Sequence, residues 1–189
     1  DIDNENKNLT IRQNDQTGRA IISGKIINNW KIIFIGDESN QIKNVIKNYE
    51  NLTGCLTFVD ITLKNLSLSS KNSKCEDSIN LINSYGLINS IYIKNASADG
   101  LDADFSNIRI NKLNIEFAAN DCVDFSKGKY EIFNIKLYGC KDKGVSVGEE
   151  SILKLKKGRV EKSYIGIASK DSSIANIENI IFKNVDTCF

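Results

Sequence analysis

The chain has 189 residues, enough for one domain with a buried core, and 25 Lys plus Arg nearly balance 24 Asp plus Glu, a net charge of +1. That balance gives no electrostatic case for nucleic acid or an anionic membrane as partner, and no apolar run approaches the roughly 18 residues of a membrane span. His is absent, which excludes Ser-His-Asp and Cys-His catalysis and the His-containing zinc sites; Pro and Met are absent too.

The chain opens "DIDNENKNLT", with neither Met nor a secretory apolar region, and reads as a mature or excised segment of a longer protein. Its wealth of Asn, Ile and Lys reads as compositional bias. Residues 1–55 keep loose register and are expected to form an N-terminal cap and irregular first coils. Within them "KIIFIG" (31–36) is an apolar strand preceded by Trp30, which is expected to pack in core or cap rather than serve as a sugar platform. "QIKNVIKNYENL" (41–52) sets Ile42, Val45, Ile46 and Tyr49 on one helical face and is the best candidate for a short helix or irregular loop.

Residues 56–189 repeat. Gly100, Cys122, Gly144 and Gly166 recur every 22 residues, each followed by an aliphatic residue: Leu101, Val123, Val145 and Ile167. The same period runs back to Ile79. Further columns are Ile108, Tyr130, Ile152 and Ile174; Ile91, Leu113 and Ile135; and Ile93, Ile115 and Leu137. Between them the pattern alternates with period two, as in "GLDADF", where Leu101 and Ala103 point in and Asp102 and Asp104 point out. Short β-branched strands at this spacing predict an all-β fold: a single-stranded right-handed parallel β-helix of about 22 residues per coil and roughly 7–8 coils. Phe105, Phe117, Phe125 and Tyr138 are expected to stack inside the coils.

Stacked coils turn period into adjacency. Asp77, Asp99 and Asp121 form one column continued by Lys143; Asn80, Asp102, Asp124 and Ser146 form a second, facing outward. With Asp104, the residues Asp77, Asn80, Asp99, Asp102, Asp121 and Asp124 are the candidate binding face. Three readings compete. The side chains hydrogen-bond the backbone of tight turns. Asp99, Asp102, Asp121 and Asp124 hold Ca2+, the one cofactor considered and not a required one. Or Asp99, Asp102, Asp121 and Asp124 act as paired acids on a glycoside, assisted by Lys143. Lys143 is expected to neutralise the acidic column, in preference to acting as a base. "LKLKKGRV" (153–160), with Lys154, Lys156, Lys157 and Arg159, reads as the solvated side of a strand whose Leu153 and Leu155 point in.

Five cysteines without a CxxC argue against a zinc cluster. They are either buried small hydrophobes or, in an exported chain, one or two disulfides, with Cys55–Cys75 the sequence-local pairing.

These columns resemble the right-handed parallel β-helix, or pectin-lyase-like, superfamily over roughly residues 55–189. Within it, polygalacturonase-type glycosidases carry acidic and Gly-His-Gly elements on successive coils. Here "SADG" (Asp99), "NDCV" (Asp121) and "DKGVSVG" fall in the same order, with Asn120 in place of one acid and Lys143 in place of the His. The series from "TGCLTFVDITLKN" through "ADGLDADFS" to "IGIASKDSS" also resembles β-helix segments of bacterial cell-surface proteins. That resemblance implies a secreted or surface-displayed domain joined to others. The expected function is a non-catalytic scaffold with a carbohydrate- or partner-binding surface. The alternatives are a polysaccharide-active glycosidase or lyase and a module that self-associates end to end.

Overall fold

Each aliphatic column of the sequence becomes a vertical stack of parallel strands. The structure, a computed structural model, describes residues 1–15, 18–37 and 52–189; most of the candidate helix at 41–52 lies outside them. The chain winds as a β-solenoid of about 7 turns with about 22 residues per coil, 72% strand. Each coil contributes one strand segment to each of three faces.

Face A stacks Ala20–Ser23, Gly54–Val59, Asp77–Ile82, Asp99–Asp104 and Val123–Ser126, and then the ends of Lys129–Gly148 and Gly158–Ser169. Face B stacks Ile26–Asn28, the starts of Thr62–Lys71, Tyr85–Ala96, Asn107–Ala118 and Lys129–Gly148, then Ile152–Leu155 and Ile174–Ile177. Face C stacks Asn8–Arg12, Lys31–Ile35, the later parts of the long strands and Ile180–Thr187. In face A, Leu101 pairs with Ile79 below and Val123 above, which continues to Val145 and Ile167. All five are buried, and each such side chain is worth about 1.5–3 kcal/mol of transfer free energy.

The first coils are stacked as well, but unevenly. Asn8 pairs with Lys31, whereas Ala20 pairs with Leu56 and Lys31 with Ser67, so the spacing between paired positions rises from 23 to 36 residues. At the N-terminal end Ile2–Asp3 folds back antiparallel on Asn8–Arg12, the one antiparallel pairing among the described residues. It covers an edge that would otherwise expose unpaired backbone. Trp30 packs against the core, as expected.

Two expectations about columns need correction. Tyr130 pairs with Leu153 and not with Ile152; Ile152 faces outward beside Lys129, and Ile174 is exposed. The cause is one extra residue in the turn Glu149–Ser151, where Glu149 and Glu150 both adopt left-handed backbone, against a shorter turn at Lys127–Gly128 one coil earlier. Of the aromatic residues expected inside, only Phe125 is fully buried. Phe105 and Phe117 stand exposed at left-handed corners (φ 52° and 65°), and Tyr138 is half-buried, edge-on to Phe117.

The corners also explain the Asn content, which is more than compositional bias. Asn29, Asn65, Asn72, Asn83, Asn95, Asn179 and Asn184 all have positive φ, a region that Asn tolerates far better than β-branched residues do. Successive corners stack: Asn83 Nδ2 donates to Asp60 Oδ1 (2.6 Å) and Asn95 Nδ2 to Asn72 Oδ1 (2.9 Å).

Candidate functional site

The acidic residues converge because face A brings positions one coil apart side by side. Asp99 pairs with Asp77, and Asp102 pairs with Asn80 below and Asp124 above, as the period requires. The column Asp77–Asp99–Asp121–Lys143 is a ladder of caps. Asp99 Oδ1 accepts the Asp121 backbone N–H (2.8 Å) and Asn120 Nδ2 (2.8 Å); Asp121 Oδ1 accepts the Lys143 backbone N–H (2.8 Å). Asp99 and Asp121 thus each satisfy donors of the next rung, as Asx side chains do in turns, whereas the Asp99 N–H goes to the Glu76 carbonyl and Asp77 takes Asn80 Nδ2 of its own rung.

Burial pushes Asp77, Asp99 and Asp121 up to about 6, against the hydrogen bonds that favour their charged forms. At Asp121 the opposing groups are the backbone N–H and the ammonium of Lys143, whose Nζ lies 3.4 Å from Asp121 Oδ2 and also contacts Asp142. Burial acts to lower the Lys143 pKa, but Asp142 and Asp121 outweigh it and the net shift is upward. A lysine held protonated in this way is a counter-ion to the column, not a base.

The outer column differs. Asn80 Nδ2 lies 2.7 Å from Asp102 Oδ2, 3.1 Å from Asp77 Oδ2 and 3.2 Å from Thr53 Oγ1. Burial, reinforced by Asp77, Asp104 and Asp124, pushes Asp102 up to about 10. Asp104 is also raised by burial, though the hydrogen bond from Asp102 favours its anion. The crowding of buried carboxyls thus favours the neutral form of Asp102. The face is less open than its outward direction suggests: Asn80 and Ser146 are fully buried. Thr57 Oγ1, Asn80 Oδ1 and Ser146 Oγ, all of this column, have no hydrogen-bond partner among the described residues. Among the described residues no group of three His, Cys, Asp or Glu side chains is arranged to hold a metal ion. Asp99 and Asp121, two of the four expected calcium ligands, are engaged by backbone donors.

Three parts of the arrangement were missed in the sequence. Asp142 beside Lys143 is one, though "DKG" places the charges next to each other. The others form a hydroxyl column inside the turn from face A to face B. Ser84, Ser106, Ser151 and Ser173 set their hydroxyls against the carbonyls of Phe58, Leu81, Phe125 and Val147, members of one face A column, with Ser84 and Ser106 sharing their hydrogen with the nearer carbonyls of Ile82 (2.9 Å) and Asp104 (2.8 Å). The column's remaining carbonyl, Ala103, faces Gly128 where a serine would stand, and the Tyr130 hydroxyl supplies the donor (2.7 Å). The spacing of Ser84 and Ser106 was the available signal.

Disulfides join Cys55 to Cys75, the sequence-local pairing, and Cys122 to Cys140; Cys188 is free and exposed. No helix of the described residues is long and apolar enough to cross a membrane. No protein-family model, curated protein or solved structure matches the chain. The fold itself defines the class, a parallel β-solenoid. Its two disulfides are of the kind that persists in oxidising compartments.

Proposed function

We propose that this chain is a secreted or cell-surface parallel β-helix of the pectin-lyase-like kind, serving without catalysis as a rigid scaffold that presents carbohydrate- or partner-binding surfaces. The observation that supports this reading is the use made of the acidic face. Asp99 and Asp121 accept backbone N–H groups of the rung above, and Lys143 neutralises the top of the column. Carboxylates engaged in this way hold rungs together instead of waiting for a substrate. The test is incubation with a panel of polysaccharides, read by mass spectrometry, with an Asp99→Ala/Asp121→Ala variant alongside. The expected result is no turnover by the wild type, and a variant destabilised by about 1–3 kcal/mol for each orphaned donor. Turnover by the wild type overturns the scaffold reading.

One arrangement favours a polysaccharide-active enzyme as the second reading: Asp102 pairs with Asp124 across adjacent rungs, shares its strand with Asp104, and is pushed by burial toward its neutral form. A proton-bearing carboxyl next to carboxylates is the arrangement of an acid with a base. In that reading Asp102 protonates the leaving oxygen, and Asp102→Asn abolishes any turnover while leaving the fold intact.

A further inference from the structure

The net charge of +1 conceals a division of charge between faces. Face A gathers Asp99, Asp102, Asp104, Asp121 and Asp124. The outward side of face B stacks Asn28, Lys64, Leu87, Arg109, Glu131, Lys154 and Asn176 in one column, with Thr62, Tyr85, Asn107, Lys129 and Ile152 beside it. A groove of about 620 Å3 runs over this face. Its cationic lining is Lys64, Arg109, Lys129 and Lys154, and its one carboxylate, Glu131, is already paired with Arg109 at 3.4 Å. Among the described residues the ammonium groups of Lys64, Lys129 and Lys154 make neither an ion pair nor a hydrogen bond; the bonds of Lys64 and Lys129 to Asn29 and Ser106 are made by the backbone. The floor between the cations is apolar, from Leu87 and Ile152.

We propose that this groove is the docking track for a linear anionic polysaccharide, carboxylate- or sulfate-bearing, lying along the solenoid axis. The rungs set the match. Lys64, Arg109 and Lys154 stand two rungs apart in turn, roughly 10 Å, with Lys129 between the last two, so cations repeat on the scale of one to two sugars of an extended chain. The apolar floor suits the C–H faces of sugar rings. Single-stranded nucleic acid fits less well, because its readers stack successive bases on a series of rings, whereas here Tyr130 is buried and Tyr85, between Thr62 and Asn107, is a lone exposed ring beside the groove among the described residues. This inference rests on the scaffold reading for its extracellular setting and adds the ligand class and its location.

The test measures binding to alginate (carboxylate), heparin (sulfate), dextran (neutral) and oligo-dT (phosphodiester) by isothermal calorimetry. Three proteins are compared: the wild type, a Lys64→Gln/Lys129→Gln/Lys154→Gln variant, and a face C control, Lys112→Gln/Lys136→Gln. The expected result is low-salt binding of alginate or heparin but not dextran. That binding is lost near 1 M salt, where the screening length is about 3 Å, and is weakened about tenfold or more in the face B variant alone. Equal weakening in the control, no binding of either anionic glycan, or tighter binding of oligo-dT overturns the proposal. None of those outcomes touches the scaffold reading, which falls only on glycan turnover.

Discussion

Burial, reinforced by Asp77, Asp104 and Asp124, favours the neutral form of Asp102 despite the hydrogen bond it accepts from Asn80. A carboxyl whose folded pKa lies above its ordinary 3.8 favours the folded state most where both states are protonated. That advantage is lost as pH rises through the folded value. Asp77, Asp99 and Asp121 act in this sense from about pH 4 to about 6, and Asp102 continues the loss toward about 10. The melting temperature should therefore be higher at pH 5 than at pH 8. Asp102→Asn, which mimics the protonated form, should raise it at pH 8 and flatten the profile by several degrees, at about 2–4 °C per kcal/mol for a chain of this size. A wild-type melting temperature that climbs from pH 5 to pH 8, or a variant with an unchanged slope, contradicts this. The period made the aspartate columns legible, since a fixed repeat carries residue identity directly into adjacency. Which of the carboxyls bear protons was not legible, because that depends on donors in the rungs above and below, such as the Lys143 N–H and Asn80 Nδ2.

At the scale of elements, the stack is held by columns that each satisfy one recurring backbone need. The carbonyl column Phe58, Leu81, Ala103, Phe125 and Val147 takes a hydroxyl at every rung, four times from Ser and once from Tyr130. Tyr130→Phe removes the hydroxyl whose single hydrogen the carbonyls of Ala103 (2.7 Å) and Ser126 (2.9 Å) share. It should cost about 1–3 kcal/mol in denaturant unfolding, with unchanged circular dichroism. Tyr92→Phe, on an outward position, should stay within about 0.5 kcal/mol. Equal costs for the two would remove the hydroxyl column from the account. Strand positions and inward residues such as Leu101 and Ile115 were readable because alternation and the 22-residue period agree there. The column through Ile152 failed because a single residue added at Glu149–Ser151 advances the register, and left-handed Glu carries no compositional signature. Phe105 and Phe117 misled for the opposite reason: aromatic residues suggest burial, but these stand at corners whose neighbours in the stack are Asn83 and Asn95.

For the molecule as a whole, winding decides which side chains meet. It places an acidic face engaged in structural hydrogen bonds beside a basic groove, in a chain whose overall charge is close to zero. Both functional proposals depend on one geometric relation, that residues a coil apart in sequence lie one rung apart in space. Lys71 and Lys183 test it over a long outward column, Lys71–Lys94–Glu116–Tyr138–Glu161–Lys183. Spin labels at these two positions, with Cys188→Ser to leave the disulfides as the only other cysteines, give a distance by pulsed electron resonance. Five rungs predict a narrow distribution centred near 24 Å. A broad distribution, or a maximum far from that value, would contradict the solenoid and with it the placement of both faces.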